Sequence, residues 1–322
     1  MRSRFAPSPS GRMHLGNAWA ALACWLACRS AGGTMLLRIE DIDQARSRQE
    51  FIELIPKDLA WLGLTWDEGP VKGGVFGPYV QSERLARYDE VLTELAEQKV
   101  IYPCYCTRKE LQEAARIRRN AGPVYPGFCR NLTPEQCLER ENSGRHPSLR
   151  VSFPPGKVTF DDLVLGPITL HTSELGGDFP VRRTDGIHAY QLAVAVDDAD
   201  MQVTQVIRGA DILDSTPRQL RLFELLGATP PDYGHVPLLV DNTGRKLSKS
   251  HKDLELAALR ERGGRPEVVI GYLAFKSGLI DRYRPMQAGE LLPGFSLTRL
   301  NRPPIVVEPD TEAELIRLSG ER

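Results

Sequence analysis

Two short stretches far apart in the chain combine cations with small residues in a way suited to phosphate. The first is Arg4-Phe5-Ala6-Pro7-Ser8-Pro9-Ser10-Gly11-Arg12-Met13-His14-Leu15-Gly16-Asn17. Its pattern predicts a strand, a Gly/Pro loop and a helix start carrying His14. A helix start offers unpaired N–H groups and the positive end of a dipole, both favourable to phosphate. Gly16 lets a nucleotide approach the backbone closely. The second stretch is Gly244-Arg245-Lys246-Leu247-Ser248-Lys249-Ser250. Two lysines three positions apart, behind a glycine turn, form a cationic loop. Such a loop can close over a polyphosphate and neutralise the charge that develops as pyrophosphate leaves. Taken singly, the first stretch also reads as a structural βα turn and the second as a solvated polar loop.

A third constellation is Cys104-x-Cys106 followed by Tyr125-x3-Cys129. Three thiolates are soft ligands suited to tetrahedral zinc. Tyr125, His146 and Cys137 compete for the fourth position. A phenol must lose its proton to serve, which a metal ion promotes. The alternative is a set of partly buried thiols without metal.

The elements that must position these groups can be read from the pattern. Arg2 to Ala6 predicts a strand, Leu15 to Ala31 a helix buried on most sides and ended by Gly32-Gly33, and Thr34 to Ile39 a second strand before the acidic loop Glu40 to Asp43. Strand, helix, strand over so short a span is a βαβ unit and predicts a parallel sheet. Helices are expected over Arg48 to Leu62 and Glu83 to Gln98, and short strands within His146 to Leu170. A second α/β stretch follows: strands over Ala189 to Val196, Gln202 to Ile207 and His235 to Val240, with a helix over Thr216 to Leu226 and a turn at Asp241 to Gly244. Asp197-Asp198 is expected to be a polar turn rather than a metal pair, and Cys24 and Cys28 to be core residues. The segment from Cys104 to Arg150 holds nine Lys+Arg against five Asp+Glu and four of the six cysteines, as an inserted lobe would. Its Arg116, Arg118 and Arg119 are candidates to face nucleic acid.

The chain has 322 residues, 41% hydrophobic and 26% charged, with a net charge of −1. That is ordinary for a globular protein of about two domains. The neutral balance excludes one broad basic nucleic-acid surface but not a local patch. No run approaches the roughly 18 apolar residues of a membrane span. Sparse cysteine and a start that runs straight into a strand imply a cytoplasmic, reduced setting.

Taken together, the stretches resemble a known family. His14-Leu15-Gly16-Asn17 and Lys246-Leu247-Ser248-Lys249-Ser250 resemble the HIGH and KMSKS signatures of class I aminoacyl-tRNA synthetases. The preamble from Arg4 to Gly11 resembles the glutamyl branch, as do Leu37-Arg38-Ile39-Glu40-Asp41-Ile42-Asp43 and Val206-Ile207-Arg208-Gly209-Ala210-Asp211. The Cys-x-Cys…Tyr-x3-Cys pattern resembles the glutamyl-queuosine tRNA(Asp) synthetase family, a shortened group without anticodon-binding domains, and the chain beyond Ser250 is too short for one. Two positions depart from the signatures. Asn17 replaces the second His, and Leu247 replaces Met, a volume-conserving change.

The resemblance implies an α/β protein with a Rossmann-like (HUP-type) parallel-sheet catalytic domain, an inserted zinc-binding lobe and a short helical C-terminal region. The expected partition is a catalytic domain over 1–103 and 151–250, a zinc-binding insertion over 104–150, and a helical region over 251–322. The implied activity is ATP-dependent formation of glutamyl-adenylate and transfer of glutamate to queuosine in the anticodon loop of tRNA(Asp). The alternatives are charging of a tRNA 3′ end, a nucleotidylyltransferase, or a zinc-containing RNA-binding protein with an inactive synthetase fold. His14, Lys246 and Lys249 are the implied catalytic residues. Arg4, Ser8, Glu40, Tyr190 and Arg208 would bind glutamate, and His14, Gly16, Asn17 and Lys249 would bind ATP. Cys104, Cys106, Tyr125 and Cys129 would bind one structural zinc ion. Mg²⁺ would accompany ATP, bridging its phosphates. The implied protein is a monomer that uses no membrane.

Overall fold

The structure is a computed structural model, and it describes residues 1–117, 125–247 and 254–321; the side chains of 114–117 are not among them. In chain order, β1 (Arg2–Phe5), α1 (Leu15–Ser30) and β2 (Thr34–Leu37) form the expected βαβ unit. Next come α2 (Gln49–Trp61), α3 (Leu85–Glu97), β3 (Ile101–Cys104), α4 (Arg108–Ile117) and α5 (Pro134–Asn142). Strands β4 (Ser148–Val151), β5 (Lys157–Asp162), β6 (Gly166–His171) and β7 (Phe179–Arg182) lead into α6 (Tyr190–Asp200) and β8 (Gln205–Gly209). The chain continues through α7 (Thr216–Leu225), β9 (Asp232–Val236), β10 (Leu239–Val240), α8 (Leu256–Glu261), α9 (Pro266–Lys276), β11 (Ile305–Val306) and α10 (Thr311–Gly320).

The central sheet has the order β2-β1-β8-β9 and is parallel throughout. Its strands are mostly buried, as in parallel sheets covered on both faces, yet β1, β8 and β9 carry the polar residues Arg4, Arg208 and His235 among their buried positions. From β1 the chain crosses over to β2 on one side, whereas β8 arrives on the other. The gap between the ends of β1 and β8 is therefore a topological switch point, where open α/β sheets bind ligands. Helix α1 packs its Ala, Leu, Trp and Cys side chains into the main core. Cys24 and Cys28 are fully buried there, and burial pushes the Cys24 thiol up to about 11, which keeps it inert.

The segment expected to be a strand over Ala189 to Val196 is instead the start of helix α6. Its run Leu192-Ala193-Val194-Ala195-Val196 is buried on every side, and a continuous apolar run carries no periodicity that separates a buried helix from a buried strand. Asp197 and Asp198 are accordingly not a polar turn but helical residues, both buried. The expected strand over His235 to Val240 divides into β9 and β10. Pro237 between them cannot donate to a ladder, and its carbonyl accepts the Trp19 indole N–H at 2.8 Å.

A separate antiparallel sheet, ordered β3-β4-β7, carries the cysteine-rich segment, and β5 and β6 form a hairpin. Its strands reach back to Ile101 and forward to Arg182, beyond both ends of the 104–150 segment. A second core of α3, α6, β4 and β7 side chains joins this sheet to the helices behind the site. Among the described residues no helix is long and apolar enough to cross a membrane.

Candidate active site

A cavity of about 400 Å³ opens at the carboxyl ends of β1 and β8. Its lining brings together Arg4, Ser8, His14, Gly16, Asn17, Glu40, Tyr190, Arg208 and Lys246. Lys249 and the arginines Arg118 and Arg119 lie outside the described residues, as does the side chain of Arg116.

His14 is the N-cap of α1. Its Nδ1 accepts the Gly16 N–H at 3.1 Å, while the Asn17 side-chain oxygen accepts the His14 N–H at 3.1 Å. This is a reciprocal capping box built from unusual residues. It gives the signature's departure at Asn17 a local role. With Nδ1 accepting, the neutral ring carries its proton on Nε2. Gly16 is required because a Cβ there would lie 2.9 Å from His14 Cε1. The space left by the missing side chain thus holds the imidazole. Lys246 follows the Asp241–Gly244 turn, where Gly244 has φ +79°. Its ammonium pairs with Asp211 at the end of β8, which joins two of the sequence stretches across the pocket.

Behind the pocket lies a cluster of buried charge. Arg4 Nε donates to Asp198 at 3.0 Å. The fully buried Arg38 donates to Asp198 at 2.7 Å and to Glu40 at 3.1 Å, and its Nε lies 3.5 Å from Asp197. Asp197 also accepts from Gln81 at 2.8 Å, Arg84 at 2.7 Å and Tyr88 at 2.9 Å. Three guanidinium groups therefore face three buried carboxylates. Burial pushes the Glu40 and Asp197 carboxyls up, against their arginines. Burial opposes ionisation of Asp198 as well, but Arg38 and Arg4 outweigh it and hold its carboxyl below the usual value. Asp197 and Asp198 are thus committed to arginines, which rules them out as an open metal pair. The sequence reading missed Arg38, although an Arg inside the apolar run Leu37-Arg38-Ile39 signals a buried, paired charge.

Arg208 is set differently. It is buried, with 5% exposure. Its Nε donates to His235 Nε2 at 3.0 Å, Nη1 to the Gln219 oxygen at 2.7 Å and Nη2 to the Thr216 hydroxyl at 2.8 Å. Its guanidinium lies 5.0 Å from the Tyr233 ring centroid. None of these partners is an anion, and Arg208 forms no ion pair among the described residues. Burial lowers its pKa, and nearby Arg4 adds to that. The result is a buried cation at the pocket with no ion-pair partner among the described residues, Asp198 acting on it only from beyond contact.

The Cys104, Cys106 and Cys129 sulfurs lie within 4.8 Å of one another. The Cys106 and Cys129 sulfurs are 3.7 Å apart, close to the separation that two Zn–S bonds of about 2.3 Å impose in a tetrahedron. The Tyr125 oxygen lies 3.3 Å from Cys104 Sγ and accepts the Cys129 N–H at 3.1 Å. Arg150 sits 4.1 Å over the Tyr125 ring. Neither His146 nor Cys137 joins this group. The three sulfurs are compatible with a zinc ion.

Residues 1–280 match the family model described as tRNA synthetases class I (E and Q), catalytic domain. The chain belongs to that family of class I tRNA synthetases. It is therefore a ligase of the glutamyl-tRNA synthetase type, in a family that uses ATP and Mg²⁺. It is 52% identical over 312 residues to the glutamyl-Q tRNA(Asp) synthetase of Nitratidesulfovibrio vulgaris, covering 96% of each chain. It is 50% identical to the protein of the same name from Symbiobacterium thermophilum, covering 97% of each. Against glutamate–tRNA ligase 1 of Thermoanaerobacter pseudethanolicus the identity is 43%, over 94% of this chain and 63% of that enzyme. The crystal structure of glutamate-tRNA synthetase from Elizabethkingia anophelis superposes with a TM-score of 0.84 at 28% identity, covering 98% of this chain and 69% of that one.

Proposed function

We propose that this protein activates glutamate with ATP as glutamyl-adenylate and transfers the glutamyl group to queuosine in the anticodon loop of tRNA(Asp). The observation that carries the substrate assignment is Arg208, a buried cation with neutral partners only. Such a group calls for an anion from outside, and a carboxylate matches its planar fork. Arg4 supplies a second guanidinium to the other carboxylate end. Glu40 receives the ammonium, and Tyr190 and Ser8 offer hydroxyl groups. The RNA substrate is supported by full-length similarity to the two relatives with that name.

A glutamate carboxylate oxygen attacks the α-phosphorus of ATP, and the bond to the bridging oxygen of pyrophosphate breaks. Positioning and charge stabilisation carry such a step. His14, at the α1 N-terminus beside Gly16 and Asn17, donates toward the phosphate oxygens. Lys246 and Lys249 neutralise the charge that grows as pyrophosphate departs, so Lys246 exchanges Asp211 for phosphate. Mg²⁺ enters with ATP. The queuosine hydroxyl then attacks the glutamyl carbonyl and AMP leaves. In this reading the catalytic domain spans 1–103 and 151–250, and 251–322 is a helical appendage. Residues 104–150 form a lobe in which Cys104, Cys106, Tyr125 and Cys129 hold a structural zinc ion; bound there, the ion would cross-link chain segments that share little apolar core. The protein acts as a monomer in the cytoplasm.

The test supplies labelled glutamate and ATP with tRNA(Asp) from cells that make queuosine and from cells that cannot. Label is expected only on the queuosine-containing tRNA, within an anticodon-loop nuclease fragment. Equal labelling of both tRNAs, or label at the 3′ end, would overturn the assignment in favour of a tRNA-charging ligase.

A further inference from the structure

Asp162 and His235 have been given no role so far, yet both are buried behind Arg208, which His235 contacts directly. Asp162 is the last residue of β5, and His235 lies on β9 directly opposite Arg208 in the parallel register. That register puts both side chains on one face of the sheet. The His235 Nδ1 lies 2.5 Å from the Asp162 carboxylate, whose second oxygen accepts the His235, Val164 and Leu165 N–H groups. A carboxylate so placed accepts a proton-bearing Nδ1, which leaves Nε2 as an acceptor. Nε2 indeed takes the Arg208 Nε–H at 3.0 Å, with the Thr216 hydroxyl 3.3 Å away. A cationic imidazolium would instead turn an N–H against the guanidinium. Burial lowers the His235 pKa, in keeping with a neutral ring.

We infer that Asp162 and His235 are positioning residues for substrate glutamate: Asp162 fixes the His235 tautomer, and neutral His235 holds the Arg208 fork in place without neutralising it. The chemical logic is selectivity for an anion. A carboxylate in the place of His235 would anchor Arg208 equally well but would compensate its charge and weaken its hold on the substrate acid. A neutral acceptor anchors the fork and leaves the charge for the ligand. Gln219 and Thr216, three residues apart on α7, complete this cradle with neutral oxygens from the other side.

The inference rests on the proposed glutamate activation, and the experiment separates the two. ATP–pyrophosphate exchange is measured for wild type, Asp162→Asn and the double variant Asp162→Asn/His235→Gln, varying glutamate and ATP in turn. Asp162→Asn keeps the oxygen that accepts the three backbone N–H groups but presents an amide to Nδ1, which forces the other tautomer. The expected result is a KM for glutamate raised roughly 10- to 100-fold, with kcat and the KM for ATP within about twofold of wild type. Adding His235→Gln restores an acceptor whose direction needs no Asp162, and the KM for glutamate is expected to fall back toward wild type. A KM for glutamate unchanged in Asp162→Asn, or a loss confined to kcat, overturns the inference. Absence of glutamate-dependent exchange in wild type would instead overturn the proposed activity. Nitrogen NMR of wild-type protein gives a readout that needs no variant to fold. His235 is expected with its proton on Nδ1, and a proton on Nε2 overturns the inference.

Discussion

Two groups of buried arginines lie side by side in this protein, and their partners differ in kind. Arg4, Arg38 and Arg84 face Glu40, Asp197 and Asp198, so charge is balanced within the chain. Arg208 is held by a histidine, a glutamine and a threonine and stays unbalanced. The first arrangement tolerates an empty pocket. The second carries a desolvation cost that an anion from outside would offset. The difference separates a network whose charges already balance, from which Arg4 and Glu40 reach the pocket, from a cation whose charge is left for the substrate.

The largest expected effect comes from neutralising the unbalanced cation. Arg208→Gln should weaken glutamate binding by at least about 100-fold, read by calorimetry, while thermal stability stays at or above wild type because an uncompensated buried charge is removed. Neutralising the balanced cation should do the reverse to stability. Arg38→Met leaves Glu40 without its arginine and takes one of two arginines from each of Asp197 and Asp198, and breaking such a network costs about 3–5 kcal/mol, measured by denaturant unfolding. If both variants lose stability equally, the distinction between the two groups fails.

The sequence exposed one side of this contrast better than the other. Arg4, His14, Glu40, Arg208 and Lys246 sit in loops or at strand ends, where residue type and motif order survive without knowledge of the fold. Arg38 with Asp198, and Asp162 with His235, are separated by 160 and 73 positions, so their pairing exists only once β1, β8 and β9 are aligned. Reading 189–196 as a strand hid it further. As a helix, that segment points Tyr190 to the pocket at one end and brings Asp198 to Arg4 and Arg38, and Asp197 to Arg38 and Arg84, at the other. The three sulfurs, by contrast, were legible because their spacing is local.

A third prediction concerns the sulfur cluster. Hydrogen bonding from Cys106 and Tyr125 holds the Cys104 thiol down to about 4 against its burial, a polarity that suits a cation. We expect about one zinc ion per chain and at least about a tenfold weaker zinc affinity in Tyr125→Phe, read by competition with a chromophoric chelator. An unchanged affinity removes Tyr125 from the ligand set.

The smallest effect is a pH dependence. Asp198 is held below the ordinary aspartate value of 3.8 in the folded protein. A depressed carboxyl contributes stability above that ordinary value, and the contribution is lost as pH falls through the folded value. The stability gap between wild type and Asp198→Asn should therefore be widest near neutrality and shrink below about pH 4. A gap constant down to pH 2 would mean that Asp198 is not the anion of the balanced group.

The most direct test of the contrast is glutamate titrated calorimetrically into wild type, Arg208→Gln and Asp162→Asn in the absence of ATP and tRNA. The account predicts measurable binding to wild type, none to Arg208→Gln, and weakened binding to Asp162→Asn. Glutamate binding to Arg208→Gln within about twofold of wild type would contradict it, because the unbalanced cation would then not be what reads the substrate.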